Sequence, residues 1–411
     1  MRHTVVLVGS LDTKADEYAF VRDLLRAAGV STVTLDTGVL GEPGFSPDID
    51  RQRVAQAGGE DLARLVKAGD RGAALTIMAH GAQSIIQGLQ KEGKIHGALA
   101  LGGTGGTSVA ATAFRGLPIG FPKIIVSTAA SGNTEPYIGE TDLILVPSIV
   151  DIAGLNRISR RVLTNATFAL VGMVTAPPVA ERGDRQMIAA SMFGVTTPCV
   201  THARERLEAL GYEVLVFHMT GSGGRAMESL IRQGFFAGVL DVTTTELADH
   251  LVGGVFDAGA GRVTAASATG TAQVISVGAL DMVNFGPRDS VPERFRTRNL
   301  YEHNSSVTLM RTTSEECAAL GAELAEKAAA AKGPTTVVLP LGGISAIATE
   351  GGPFFDSEAD AALFSAIRTG LEGSGVPLLE LDTDINSPVF AEAIANQLHT
   401  SIVSQRQLTK H

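Results

Sequence analysis

Two mainly parallel, doubly wound sheets, each Rossmann-like and each in its own domain, are the α/β fold class this sequence predicts. Three observations predict it. The 411 residues exceed one ordinary core and suit two domains of about 150 to 230 residues. Short apolar runs alternate with helical runs from one end of the chain to the other, the order that builds parallel βαβ units. Finally, 47 glycines accompany an apolar content of 45% with no Trp and four Tyr, which is the composition of many tight turns between thin, buried strands.

Taken in order, the first domain is expected over residues 1–178. Its strands are expected at Thr4–Val8, Ser31–Asp36, Ala74–Met78, Ala98–Leu101, Lys123–Ser127 and Leu143–Val146, each a short apolar run bounded by turn residues. Helices are expected at Asp16–Ala28, ended by Gly29, then at Val54–Ala68 and around Ala82–Glu92. A long helix from Asp151, broken by Arg157, Arg160 and Arg161, leads to A-P-P-V-A-E-R-G-D-R (176–185), whose prolines and mixed charge predict the linker.

The second domain is expected over 184–411. Its strands are expected at Gln186–Phe193, Glu213–His218, Ala237–Asp241, Ala272–Val277, Val307–Met310, Thr336–Pro340 and Leu378–Leu381. Between them, Thr197-Pro198 opens a helix ended by Gly211, and further helices are expected at Ala226–Gln233, after Glu246, at Glu315–Ala331, Ser357–Thr369 and Pro388–Ser401.

In such sheets ligands collect beyond the carboxyl ends of the strands, and here those ends are polar. The most telling is G-G-T-G-G-T-S at 102–108, between a buried strand and an alanine-rich helix. Gly102, Gly103, Gly105 and Gly106 let backbone approach a ligand, Thr104, Thr107 and Ser108 offer hydroxyls, and the N-terminus of the helix favours an anion. The loop is neither a P-loop, since no Lys-Ser or Lys-Thr follows, nor a G-x-G-x-x-G fingerprint. Companions expected on the same rim are Asp12 and Lys14 in G-S-L-D-T-K, Asp36, and Ser131, Asn133 and Thr134 in S-T-A-A-S-G-N-T. Lys123 precedes a buried strand and so sits at the opposite end, which makes Lys14 the candidate phosphate cation.

In the second domain His218, Asp241 and Asp281 stand at or just past strand ends and are the candidate catalytic groups. Gly223, Gly224 and Arg225 open a second glycine-rich turn, and with Glu246, Asn284 and Arg288 they are the candidate contacts to a small anionic substrate.

Several classes are disfavoured. A net charge of −10 without a basic run argues against nucleic acid or an anionic membrane as partner. No apolar run approaches the ~20 residues of a membrane span, and Asp12 and Lys14 come too early for a signal peptide. Cys199 and Cys317 form neither a disulfide framework nor a zinc pattern, which fits a reducing cytoplasm. The first loop lacks the glycines of a nicotinamide site, no G-x-S-x-G elbow occurs, and the histidines, His80 included, show no metal-ligand spacing, so no metal site is assigned.

The runs G-G-T-G-G-T-S (102–108), L-P-I-G-F-P-K (117–123), V-D-I-A-G-L-N-R-I-S-R-R-V-L (150–163), M-F-G-V-T-T-P-C-V (192–200), T-G-S-G-G-R-A-M-E (220–228), L-D-V-T-T-T-E-L-A-D (240–249) and G-A-L-D-M-V-N-F-G-P-R-D (278–289) cover the chain widely. They resemble an uncharacterised bacterial family related to the ATP-binding amino-terminal region of the tomato mosaic virus resistance protein. The resemblance implies ATP as ligand, with Mg²⁺ as its candidate companion, and self-association into a homodimer or larger. It also implies a plant relative that holds a viral replication protein. That relative carries an additional barrel domain, which this chain is expected to lack and for which a separate barrel protein would be the partner. Three functions follow as expectations: an ATP-dependent enzyme on a small anionic metabolite between the domains, a nucleotide-sensing module that captures a protein, or an obligate subunit of a barrel enzyme.

Overall fold

The computed structural model describes residues 3–177 and 185–408, and the chain divides into two compact units, Met1–Ala180 and Glu181–His411. Most of the linker expected at 176–185 lies outside the described residues. Both units have the α/β architecture the alternation predicts: a parallel sheet with helices on its two faces.

In the first unit the chain runs β1 (Thr4–Gly9), α1 (Ala15–Ala27), β2 (Ser31–Asp36), α2 (Arg51–Ala57), α3 (Leu62–Ala68), α4 (Arg71–Lys91), β3 (Gly97–Gly102), α5 (Thr104–Arg115), β4 (Lys123–Ser127), α6 (Glu135–Ile138), β5 (Ile144–Pro147) and α7 (Arg157–Thr175). The five strands lie in the order β2-β1-β3-β4-β5, all parallel. Alternation explains why both faces of the sheet are dry. Val6, Val8, Ala98 and Ala100 pack with Met78, Ile86 and Phe114 on one face, while Val5, Leu7, Leu99 and Leu101 pack with Val21, Leu25 and Leu170 on the other.

Two expectations are corrected here. Ala74–Met78 is no strand but the start of the 21-residue α4, capped by Asp70, whose side chain accepts from the Ala73 N–H. The apolar run misleads because it continues as Ala74, Met78, Ala82 and Ile86, a helical stripe that buries against the sheet. His80 therefore sits in mid-helix rather than at a strand end. The other long helix begins at Arg157 instead of Asp151, because Asn156 and Ser159 close a capping box there and Gly154 adopts φ 87°.

The second unit runs β6 (Met187–Met192), α8 (Thr197–Ala209), β7 (Glu213–His218), α9 (Ser222–Arg232), β8 (Gly238–Thr243), α10 (Glu246–Val252), α11 (Ala265–Thr269), β9 (Ala272–Gly278), β10 (Met282–Phe285), β11 (Leu300–Asn304), β12 (Val307–Arg311), α12 (Ser314–Ala329), β13 (Thr335–Pro340), α13 (Ser357–Leu371), β14 (Leu378–Leu381) and α14 (Pro388–Leu408). Its parallel sheet has the order β14-β13-β9-β8-β6-β7. A separate antiparallel sheet, β10-β12-β11, was not expected; its strands are short and polar on the β11 edge, where Tyr301 to Asn304 are exposed.

Counted in chain order, the strands of both parallel sheets follow one rule. The first strand lies between the second and the third, and the fourth and fifth follow outward. Each unit thus has a point beside its first strand where the winding reverses, and the crevice there is where such sheets bind ligands.

Candidate functional site

In the first unit that crevice lies between the ends of β1 and β3. Its floor is set by Tyr18 of α1, whose fully buried hydroxyl donates its one proton to the Val8 carbonyl, lies 3.0 Å from the Leu101 carbonyl and accepts from the Leu101 N–H. Gly9 makes this possible, since a Cβ there would fall 1.9 Å from the Tyr18 oxygen. Burial pushes the Tyr18 phenol well above its usual range, so it stays a neutral brace.

Above this floor opens a cleft of about 680 Å³. On one side lie Gly102 to Gly106, and α5 begins there with Gly103 at its N-cap and no side chain bonded to its first N–H groups. None of Gly103, Gly105 and Gly106 has a positive φ. A Cβ on them would come no closer to other atoms than 3.7, 3.5 and 3.8 Å respectively. The fold itself therefore has no need of glycine at these three positions. A ligand that approaches the backbone does.

Two cations line the same cleft, Lys14 and Arg71, and neither has an ion-pair partner among the described residues. Arg71 is a cleft residue with no signal in the sequence reading, because an apolar run at 74–78 that also fits a strand hides the helix that presents it. Asp70 followed by the stripe from Ala74 to Ile86 marks the helix itself. The cleft also has apolar lining in Val39, Leu40, Leu65, Val66 and Leu75, with Leu40 88% exposed and Leu75 packed toward Gly105.

Of the companions expected on this rim, Asp12 and Lys14 line the cleft. Asp36 is fully buried beneath it, accepting from the Leu11 and Gly38 N–H groups. Thr107 turns inward, its hydroxyl bonded to the Gly103 carbonyl and the Ser127 hydroxyl, so it braces the loop. Ser108 is exposed on the second turn of α5 and is not among the cleft residues. Ser131, Asn133 and Thr134 stand outside it too, in an exposed turn where Asn133 accepts from the Glu135 N–H. Lys123 is fully buried, paired with Asp142 and donating to the Pro118 and Phe121 carbonyls, at the end of the sheet away from the cleft.

The second unit's glycine-rich turn follows β7, the edge strand and second in chain order, and is built differently. Gly221 takes φ 82°, a Cβ on Gly223 would fall 1.8 Å from the His218 carbonyl oxygen, and one on Gly224 1.9 Å from the Glu246 carboxylate. Glu246 accepts from the Gly221 and Gly224 N–H groups, so the chain's own carboxylate occupies the position an anionic ligand would take. Burial pulls its pKa upward, opposed by Arg262 and those two N–H groups. The fully buried Arg262, unmarked in the sequence, donates to Glu246, grips both oxygens of Asp241 at 2.6 Å and reaches Glu228.

The candidate catalytic groups His218, Asp241 and Asp281 each make a different set of contacts. Asp241 belongs to the Arg262 cluster, which also includes the Ser191 hydroxyl. Asp281 accepts from Ser345 in another buried cluster with Arg311 and Asp360, where burial pushes its carboxyl up to about 6. His218 is exposed and stacks on Phe193 at 5.4 Å. Asn284 donates to Asp249 and Thr245, Arg288 lies on the surface 3.8 Å from Glu302, and Arg225 donates to the Asp257 carbonyl. Among the described residues no group of three or more His, Cys, Asp or Glu is placed to hold a metal. No helix among them is long and apolar enough to cross a membrane.

Comparison with known proteins extends these observations. Residues 3–179 match the model of the N-terminal domain, and 185–402 that of the C-terminal domain, of an uncharacterised protein family, UPF0261. A UPF0261 protein of Clostridium tetani is 48% identical over 97% of this chain and 98% of its own length. The ToMV resistance protein Tm-1 of Solanum lycopersicum is 41% identical over 95% of this chain, which spans 55% of the tomato protein. Among solved structures, Acinetobacter baumannii MurG aligns at 9% identity with a TM-score of 0.21, covering 97% of this chain and all of that one, a likeness too low to inform fold or function.

Proposed function

The chain belongs to the UPF0261 family, and from that premise we propose that its first unit binds ATP, with the phosphates on the 102–106 loop and the base against the apolar lining. The observation that carries this reading is the set of three glycines the fold does not need, at an uncapped helix N-terminus beside Lys14 and Arg71. Backbone N–H groups and two cations unpaired among the described residues suit a polyphosphate, and Val39, Leu40 and Val66 give an apolar surface for a base. Calorimetry tests it. ATP binding in the micromolar range is expected for the native chain and its loss for Gly105→Val or Gly106→Val with melting unchanged; undiminished affinity in both variants contradicts it.

The function this supports best is a nucleotide-binding or nucleotide-sensing module. Two of the candidate catalytic groups of the second unit, Asp241 and Asp281, are internally bonded in separate buried clusters, which favours binding over turnover of a small anionic metabolite. Self-association is the second part of the proposal, supported by Ile158, Phe168 and Met173, which α7 leaves 49%, 48% and 36% exposed. Static light scattering at micromolar concentration should give a dimer or larger; a monomer mass contradicts it. Two free, buried cysteines favour the cytoplasm as the compartment.

A further inference from the structure

Three helices of the first unit begin at its cleft, and two of them begin with a cation. Helix α1 has Lys14 as its N-cap, with no side-chain capping bond. Helix α4 has Arg71 as its first residue, directly after its N-cap Asp70. Helix α5 has Gly103 as its N-cap, again without a side-chain cap. Lys14, Asp70, Arg71, Gly103, Gly105 and Gly106 all line the same cleft. Arg71 reaches the glycine turn itself, since a Cβ on Gly105 would lie 3.6 Å from the Arg71 Nη2.

This placement runs against helix electrostatics. A helix N-terminus carries about half a positive charge, so N-caps are ordinarily Ser, Thr, Asp or Asn and first turns favour acids. A Lys at one helix start and an Arg at another add to a positive potential that is already there. The neighbouring acids do not pair with them. Asp12 and Asp70, the two carboxylates that line the cleft, accept from backbone: Asp12 from the Leu40 and Gly41 N–H groups, Asp70 from the Ala73 N–H. In the first turn of α1, Glu17 is buried and accepts from the Gly154 N–H, while Asp16 is exposed and outside the lining. Cations that the fold leaves unpaired among the described residues, set where a helix disfavours them, match an anion of several charges. The remaining lining suits a base only in a general way. Among the cleft residues there is no aromatic ring, no His and no Asn or Gln amide, and aliphatic surface does not tell one base from another. Leu40 and Val66 are moreover 88% and 48% exposed.

We infer that this cleft reads phosphate charge and not the base. Its ligand class is the triphosphate chain, bound with little regard to whether it carries adenine, guanine or no nucleoside, and Lys14 and Arg71 are the discriminating residues; this rests on the reading of the 103–106 turn as a phosphate site. Each phosphate removed takes away negative charge that two cations and three helix starts attract, so affinity falls from tri- to di- to monophosphate. Exchanging one base for another leaves those contacts intact. Removing the nucleoside altogether costs only aliphatic burial.

Competition calorimetry on the full chain tests this, in magnesium-free buffer at one fixed ionic strength so that all ligands are compared under equal screening. ATP and GTP are expected to bind within about tenfold of one another, inorganic tripolyphosphate to displace ATP, and AMP to bind more than about tenfold less tightly than ATP. Lys14→Gln and Arg71→Gln should each weaken tripolyphosphate by about tenfold or more, from one lost charge-assisted contact, without lowering the melting temperature of the ligand-free chain. Should a variant melt early, the ligand series on the native chain decides. GTP bound more than about tenfold less tightly than ATP, AMP bound within that range, tripolyphosphate that fails to displace ATP, or tripolyphosphate affinity unchanged in either folded variant overturns the inference and leaves the nucleotide reading in place. A chain that binds neither ATP nor tripolyphosphate sinks that reading as well.

Discussion

Two glycine-rich turns in this chain join a strand to a helix, and they use glycine for opposite ends. At 103–106 the three glycines Gly103, Gly105 and Gly106 have ordinary φ and clear Cβ positions, and the N-terminal turn of α5 that they help to form faces a cleft whose two cations are unpaired among the described residues. At 221–224 a glycine is forced to φ 82°, its neighbours' Cβ positions are blocked at 1.8 and 1.9 Å, and Glu246 already bonds the N–H groups. Composition alone does not separate an anion site from a turn closed by the protein's own carboxylate. The deciding question is whether the fold needs the missing side chain.

The largest effect that could break this comparison is on stability. Gly224→Ala should destabilise the chain by roughly 3 kcal/mol, since Glu246 is locked by Arg262 and two N–H groups and has nowhere to move. Gly105→Ala, in the first turn of α5, should change stability by less than about 1 kcal/mol and in the stabilising direction. Urea melts of the two variants measure this, and equal losses would erase the distinction between the turns.

A smaller effect concerns the acids of the second unit. Asp281, fully buried, has its carboxyl pushed by burial from the ordinary 3.8 to about 6, partly countered by Arg311 and the Ser345 hydroxyl. A raised folded-state value means the favourable contribution of the neutral acid is complete below about pH 4 and is lost as pH rises through about 6. Thermal stability should therefore fall between about pH 4 and about pH 6, by up to about 3 kcal/mol on this residue's account, and level off above it. Asp281→Asn should flatten that fall; an identical pH slope in the variant would show that Asp281 is not the buried, neutral acid described.

How much of this was legible in the sequence follows from range. The alternation of apolar strands with helices is local, so the sheet class of both units could be read directly, and so could the glycine loop with Asp12 and Lys14. Arg71 was hidden because A-A-L-T-I-M satisfies a strand and a helix alike until the stripe is followed on to Ala82 and Ile86. Arg262 carried no local signal at all: its role depends on Asp241, Glu246 and Glu228, brought to it by the fold. For the same reason Glu246 looked like a substrate contact in the sequence, since nothing nearby showed that it bonds a turn 22 to 25 residues upstream.

The central claim is that the open turn binds polyphosphate and the closed one does not. Isothermal titration of ATP into the native chain, Gly105→Val and Arg71→Ala measures it most directly. The account predicts binding in the native chain, none in Gly105→Val at unchanged melting temperature, and a loss of about ten- to hundredfold in Arg71→Ala from one charge-assisted contact. Equal ATP affinity in all three proteins would contradict it.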